Sequence, residues 1–415
     1  MRFLYSLAWL LALPVAFLHL LSRARRQPAY LDHWGERLGY APRPPDTRPL
    51  IWLHAVSVGE TRAAAPLVRA LQQRHPGHAI LLTHATPTGR QTGTELFGEH
   101  VLQAYLPYDF PPLVWLFLRA TRPCLGVIME TEVWPNLYAA CKRRGLPLFL
   151  VNARLSEKSA RAYAPFRGLL RPALLGLAGI AAQTPSDARR LCELGARGVE
   201  ICGNVKFDVA SPADTAARAG ALRAIFGARF VLLAASTREG EEALLLEALA
   251  RLAIPGLLLV LVPRHPQRFD EVTRLLEVCD PAYVRRSANR GVPVETRVFL
   301  GDSMGEMAAY YAAADLAYVG GSLLPLGGQN LIEAAAAGCP ALIGPHTWNF
   351  AEAADQAVAV GAARRVEDAD ALALAVLGLF RDPEGRQAMR EAGWAFAAAN
   401  RGATEKVIQM LERGL

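Results

Sequence analysis

Gly320-Gly321-Ser322, Gly327-Gly328, Asn330 and Glu333 have the residue types and spacing of a ligand-holding turn. An apolar run, Ala317-Tyr318-Val319, leads into the first glycines and serine, and the second glycine pair opens an expected helix with Asn330 and Glu333 on its first turn. Glycine at a strand end lets the backbone approach a ligand, and a helix N-terminus offers unpaired N–H groups to an anion. Glu333 is itself an acid, so a phosphate here would be met by backbone and the carboxylate left for sugar hydroxyls. The same residues would also serve an ordinary strand-to-helix turn.

Acids stand at two further junctions. His54-Ala55-Val56-Ser57-Val58-Gly59-Glu60 reads as a strand end, a turn and a helix start. The helix dipole would lower the Glu60 pKa, keeping it ionised and able to take a proton from an attacking hydroxyl. Taken alone, Glu60 fits a helix cap equally well. Met129-Glu130-Thr131-Glu132-Val133-Trp134-Pro135-Asn136 delivers two carboxylates at the end of an apolar strand, just before Pro135 starts a helix. The residues leave open which of the two acids faces substrate. In Gly203-Asn204-Val205-Lys206-Phe207-Asp208, Lys206 is either a counter-charge for an anionic substrate or an ordinary exposed lysine.

Three more strand ends carry polar turns: Ala235-Ser236-Thr237-Arg238-Glu239-Gly240-Glu241, Val262-Pro263-Arg264-His265-Pro266-Gln267-Arg268 and Asp302-Ser303-Met304-Gly305-Glu306-Met307. Arginine suits phosphate because its planar fork donates two parallel hydrogen bonds. Their convergence on one sheet edge with the glycine-rich turn raises the signal above that of any single motif.

The elements that position these residues alternate strand with helix. Strands are expected at 50–55, 79–83, 125–129, 146–151 and 179–182, with amphipathic stretches such as 60–74 and 186–194 between them. The pattern restarts after Asp208, with strands at 230–235, 257–262, 298–300, 316–319 and 341–343. The fold class is therefore α/β: two Rossmann-like doubly wound domains, with ligands in a cleft at the carboxyl ends of the strands. The expected division is 1–26 for an N-terminal anchor, 27–208 and 209–385 for the two domains, and 386–415 for a C-terminal helix packing back on the first. A proline-rich connector occupies 41–49.

The chain has 415 residues, enough for two cores, and its 52% hydrophobic content excludes a disordered chain. A net charge of +7 suits an anionic partner. The basic residues form no aromatic-interleaved stripe, so nucleic acid is not expected. Six cysteines without a CxxC pair and nine histidines without metal spacing predict neither a disulfide framework nor a structural metal, and no cofactor is expected. Residues 3–21 are almost wholly apolar, and Arg23, Arg25 and Arg26 follow. That length and flanking charge predict a membrane anchor with the bulk of the protein cytoplasmic. Pro14 and His19 leave a helix lying on the membrane as a second form of the same anchor.

Read together, HAVSVGE, METEVWPN, VNARLSEKS, GNVKFD, PRHPQR, GDSMGE and GGSLLPLGGQN with GPHTWNF resemble the bacterial 3-deoxy-D-manno-octulosonic acid (Kdo) transferases over nearly the whole chain. The resemblance implies a GT-B glycosyltransferase at the cytoplasmic face of the inner membrane. It would move Kdo from CMP-Kdo to a lipid A precursor with inversion and without a metal. It implies Glu60 as general base and Glu130 and Lys206 as transition-state stabilisers. Arg264, His265, Met304, Gly305, Glu306, Asn330, Leu331, Ile332 and Glu333 would hold CMP, with the helix dipole near Gly328 stabilising the departing phosphate. Gln329 stands where the family often has histidine. Two rival readings remain: a UDP-sugar transferase of the same fold, and a membrane-tethered nucleotide- or lipid-binding protein without catalysis.

Overall fold

A computed structural model describes residues 1–25, 27–42, 47–252, 254–279 and 282–415. Arg26 of the arginine cluster and residues 43–46 of the proline-rich connector lie outside the described residues. The chain gathers into two compact units, residues 1–209 with 401–415, and residues 210–400.

The first unit holds seven strands: β1 Leu50–His54, β2 Ala79–His84, β3 Leu102–Tyr105, β4 Pro123–Met129, β5 Leu148–Ala153, β6 Gly179–Ala182 and β7 Val199–Ile201. They lie in the order β3-β2-β1-β4-β5-β6-β7, every pairing parallel. Helices cover both faces, which is why the central strands read as unbroken apolar runs. Alternate residues of β1 feed separate cores. Trp52 packs with Leu81, Ile128 and Phe117, whereas Ile51 and Leu53 pack with Leu82, Val127 and Leu67.

The second unit holds β8 Val231–Thr237, β9 Leu258–Pro263, β10 Tyr283–Arg285, β11 Val298–Leu300, β12 Leu316–Val319, β13 Ala341–Ile343 and β14 Ala363–Arg365. Their order is β10-β11-β9-β8-β12-β13-β14, again all parallel. Each sheet has a central switch point, between β1 and β4 in the first unit and between β8 and β12 in the second, where β10 in addition lies outside β11. Such switch points are where open α/β sheets bind ligands, beyond the carboxyl ends of their strands.

The stretch 386–415, expected as one C-terminal helix, is two. Pro383–Ala399 belongs to the second unit, and Ala403–Glu412 packs in the first. Gly402, at φ 95°, breaks the run, and the Asp208 carboxylate restarts it by accepting from Gly402 N–H at 2.7 Å and Thr404 N–H at 2.6 Å. Val407, Ile408 and Leu411 then enter the core beside Val68 and Leu71.

The N-terminal helix runs from Arg2 to Ala24. It is long and apolar enough to cross a membrane. It also makes contacts with the first unit. Ser6 Oγ donates to Asn136 Oδ1 at 3.1 Å, Tyr5 hydrogen-bonds Asp109, and Trp9 and Phe17 meet Tyr108 and Trp34 at 5.8 and 5.9 Å between ring centres.

Candidate functional site

In the first unit the switch-point strands β1 and β4 end at the two acids singled out from the sequence. Ser57 caps the helix Val58–Arg74, and Glu60 sits in that helix's first turn. The pair forms a variant capping box. Ser57 Oγ accepts from Glu60 N–H at 3.4 Å and donates to Glu60 Oε1 at 3.2 Å, while Oε2 accepts from Val56 N–H at 2.9 Å. The cap and the base readings of Glu60 are thus geometrically compatible.

The charge state of Glu60 differs from the sequence expectation. Burial, then the neighbouring Glu130 carboxylate, push its carboxyl up to about 7, against the lowering pull of the Val56 N–H, with Glu132 adding to the rise and Ser57 opposing it. The dipole expected to keep it acidic loses because desolvation and like charges act on the whole carboxylate, whereas the first-turn dipole contributes only about 0.3–1 kcal/mol. A carboxylate titrating near neutrality is better matched to taking a proton than an ordinary glutamate.

Glu130 follows β4 with φ 57°, a left-handed conformation unusual for a side chain of this size. Its Oε1 pairs with Lys206 Nζ at 2.8 Å, both groups largely buried. Lys206 is therefore no ordinary exposed lysine. It lies in the short 3₁₀ turn Val205–Asp208, whose start is capped by Asn204 Oδ1. Of the two acids left open, Glu130 makes the ion pair. Glu132 is pushed up to about 7, chiefly by burial, with Glu130 acting in the same direction.

Sequence reasoning passed over Asn152, the next residue of this arrangement. It lies in β5, also left-handed at φ 53° and wholly buried. Its Oδ1 accepts from Val205 N–H at 3.1 Å, fixing the lysine-bearing turn, and its amide nitrogen makes no hydrogen bond. The signal in the sequence is an asparagine straight after the apolar run Leu148 to Val151, inside the motif VNARLSEKS.

In the second unit the turns after β8, β9, β11, β12 and β13 share one sheet edge. Arg264 follows β9, its N–H donating to Thr237 O at 2.9 Å. His265 is exposed as a residue, but partial desolvation of its ring, then the charges of Arg264 and Arg238, hold its imidazole below the ordinary value. Met304 and Gly305 are exposed, but Glu306 is buried and bonds Arg286 through both carboxylate oxygens, at 3.1 Å each, and Ser303. Burial alone would raise Glu306, yet these partners hold it below the usual carboxylate range. Arg268 is likewise internal, bound to Glu242 at 2.6 and 3.1 Å.

The glycine-rich segment departs from the expected helix start. The helix is only Ile332–Ala336, so its dipole is small; Leu331 is its N-cap, and Asn330 before it accepts from Ile332 N–H at 3.1 Å and donates to Glu333 Oε1 at 3.0 Å. Asn330 and Glu333 are accessible, whereas Leu331 and Ile332 are buried and present only backbone. Gly327, at φ 94°, leaves no room for a Cβ, which would stand 2.3 Å from Asn349 Nδ2 and 2.7 Å from Trp348 Nε1. The GGQN and GPHTWN motifs are thereby packed together. Among the described residues no group of three His, Cys, Asp or Glu side chains is placed to hold a metal ion.

Comparison with known proteins accounts for both units. Residues 32–209 match the family described as 3-Deoxy-D-manno-octulosonic-acid transferase (kdotransferase), and residues 243–395 match Glycosyl transferases group 1. A 3-deoxy-D-manno-octulosonic acid transferase of Bordetella pertussis is 47% identical over 430 residues, spanning 99% of each chain. One from Haemophilus influenzae is 38% identical over 422 residues, spanning 99% of this chain and 98% of its own. Among solved structures, a UDP-GlcNAc 2-epimerase from Neisseria meningitidis covers 88% of this chain and 100% of its own at a TM-score of 0.62. A glycosyltransferase from Rickettsia africae covers 89% and 99% at 0.60. Both are 14% identical to this chain, so they bear on the fold alone, which is of the GT-B type. The full-length identity to the Bordetella and Haemophilus enzymes places the chain among the 3-deoxy-D-manno-octulosonic acid transferases, as a two-domain glycosyltransferase.

Proposed function

We propose that the protein transfers Kdo from CMP-Kdo to the lipid A precursor lipid IVA, with inversion and without a metal, in lipopolysaccharide core biosynthesis. The observation that carries this reading is Glu60, a carboxyl pushed up to about 7 beside the Glu130–Lys206 pair. Glu60 takes the proton of an acceptor hydroxyl as its oxygen bonds to the anomeric carbon. The bond from that carbon to the phosphate oxygen breaks, and CMP leaves with the electron pair. Glu130 and Lys206 stabilise the charge that develops. Donor binding falls to the second unit, through Arg264, His265, Met304, Gly305, Glu306 and the Asn330 to Glu333 segment.

Transfer from CMP-Kdo to tetra-acylated lipid A precursor, in detergent with EDTA, tests donor, acceptor and metal independence together. Product bearing Kdo is expected, with a rate unchanged by the chelator. Absence of that product with turnover of a UDP-sugar would overturn the substrate assignment while leaving the fold. CMP binding without any turnover would favour a non-catalytic protein.

The protein also acts at the cytoplasmic face of the inner membrane, and the helix Arg2–Ala24 lies in the membrane surface rather than across it. Its contacts at Tyr5, Ser6, Trp9 and Phe17 hold it along the first unit, and a Cβ on Gly168 would stand 2.6 Å from Met1 Sδ, so its first residue is seated there as well. A spanning helix would separate from a water-soluble body. Phe3, Leu4, Leu7, Leu11, Val15 and Leu18 remain exposed at helical spacing, an apolar stripe for acyl chains. Leu11→Asp with Val15→Asp is expected to move most of the protein into the soluble fraction. An N-terminal epitope should be accessible on the same side of sealed vesicles as the catalytic units; protection of that epitope would establish a spanning helix instead.

A further inference from the structure

Glu241 is an acid that the reaction scheme leaves unused. It is the first residue of the helix Glu241–Ala250, wholly buried, and directly follows the switch-point strand β8. In sequence it looks like one of several surface acids in Arg238-Glu239-Gly240-Glu241-Glu242. In the fold its carboxylate lies inside the glycine-rich turn after β12, the other strand of the switch point. It accepts from Gly321 N–H at 2.6 Å, Ser322 N–H at 3.0 Å and Leu323 N–H at 3.3 Å, and from Arg238 N–H at 3.0 Å and the Tyr318 hydroxyl.

That arrangement has a consequence for ligand binding. Three successive N–H groups of a turn that reads as an anion cradle are already occupied by an anion, the protein's own. Ser322 is equally committed: its hydroxyl donates to Val319 O and accepts from Gly344 N–H at 2.9 Å, and its carbonyl accepts from His346 N–H at 2.9 Å. Gly320 is pressed against β8, where a Cβ would stand 2.5 Å from Ser236 O. Gly321, buried and at φ 69°, packs under Gln329, whose Nε2 stands 3.2 Å from the position a Cβ would take, so the partly exposed Gln329 side chain is what the turn offers outward.

We propose that Glu241 is a positioning residue of the donor site. Its buried carboxylate gathers the N–H groups of residues 321–323 inward and thereby fixes Gly321, against which Gln329 packs, so that it sets how Gln329 faces the donor and leaves the donor's phosphate to be met by side chains rather than by this turn. This rests on the assignment of donor binding to the second unit. Replacing the carboxylate by an amide keeps its size but sets an NH₂ group among donors that need acceptors, so the turn must reopen.

The test compares full-length Glu241→Gln with wild type and with Leu379→Ala, a core truncation in the same unit chosen for a similar melting temperature. Calorimetric binding of CMP and steady-state kinetics with varied CMP-Kdo are the readouts. Glu241→Gln is expected to weaken CMP binding and raise KM for the donor about tenfold or more, the scale of one lost charge-assisted contact, with a smaller effect on kcat. Leu379→Ala should leave KM nearly unchanged. A folded Glu241→Gln with wild-type KM and CMP affinity overturns the proposal. If that variant does not fold, Tyr318→Phe decides. It removes a hydroxyl that donates to Glu241 and accepts from Leu323 N–H at 3.0 Å, so a raised donor KM supports the proposal and an unchanged one overturns it. Failure of wild type to bind CMP would instead sink the functional reading on which the test stands.

Discussion

Glu60→Gln is expected to cut transfer by about 10²–10⁴-fold, the usual contribution of a positioned general base, while CMP binds with wild-type affinity. Binding is spared because the residues proposed to hold the donor belong to the second unit. The amide retains an acceptor oxygen for the Val56 N–H, so the helix start should survive. Stability should move opposite to activity. Glu60 has a folded-state pKa of about 7, above that of an unfolded glutamate. A carboxyl raised on folding leaves stability intact below the unfolded value and erodes it as pH rises through the folded value. Above neutrality wild type therefore carries a cost on the order of 1–3 kcal/mol that the variant escapes. Glu60→Gln should melt several degrees higher at pH 8, at roughly 2–4 °C per kcal/mol for domains of this size, and match wild type below about pH 4. Wild-type turnover by the folded variant would eliminate Glu60 as the base. Equal melting at both pH values would mean that its burial carries no electrostatic cost.

The limits of sequence reading here have physical causes. The ten expected strands are all present, and the four that were missed, Leu102–Tyr105, Val199–Ile201, Tyr283–Arg285 and Ala363–Arg365, are the outer strands of the two sheets. An outer strand pairs on one side only, so it can be short and partly polar, and the apolar run that marks a central parallel strand is lost. The site is legible to the same degree. Acids at the ends of apolar strands mark a sheet edge whatever the tertiary structure, which is why Glu60 and Glu130 stand out. Their charge states do not, because the Glu60 shift comes first from burial and then from Glu130, seventy positions away in the chain and brought close only by the pairing of β1 with β4. Glu241 was unreadable for a related reason: acids flanked by acids look solvated until a turn from another strand closes over one of them. The break at Gly402 likewise depends on a distant cap, Asp208.

Lys206→Met should slow transfer and also move the pH dependence of whatever transfer remains. The lysine neutralises Glu130 across 2.8 Å, and the Glu130 charge is the second-largest cause of the raised Glu60 pKa. Removing the cation leaves that charge unopposed and takes away a charge-assisted contact worth about 1.5–3 kcal/mol, or roughly 10–150-fold in rate if it forms with the reacting groups. Because Glu60 must be ionised to accept a proton, kcat/KM in wild type should fall about tenfold per pH unit below pH 7 and level off above it. In Lys206→Met that acid limb should move to higher pH, since Glu60 now ionises against a stronger local negative charge. In Glu130→Gln it should move to lower pH, since the like charge is gone. The double variant should resemble Glu130→Gln in its limb while keeping the rate loss of both changes. Titration of the acceptor phosphates is common to all four proteins, so the differences between profiles belong to the enzyme. Superimposable acid limbs in all four would show that Glu60 titrates independently of the pair, and the Glu130–Lys206 bridge would then act on the transition state alone.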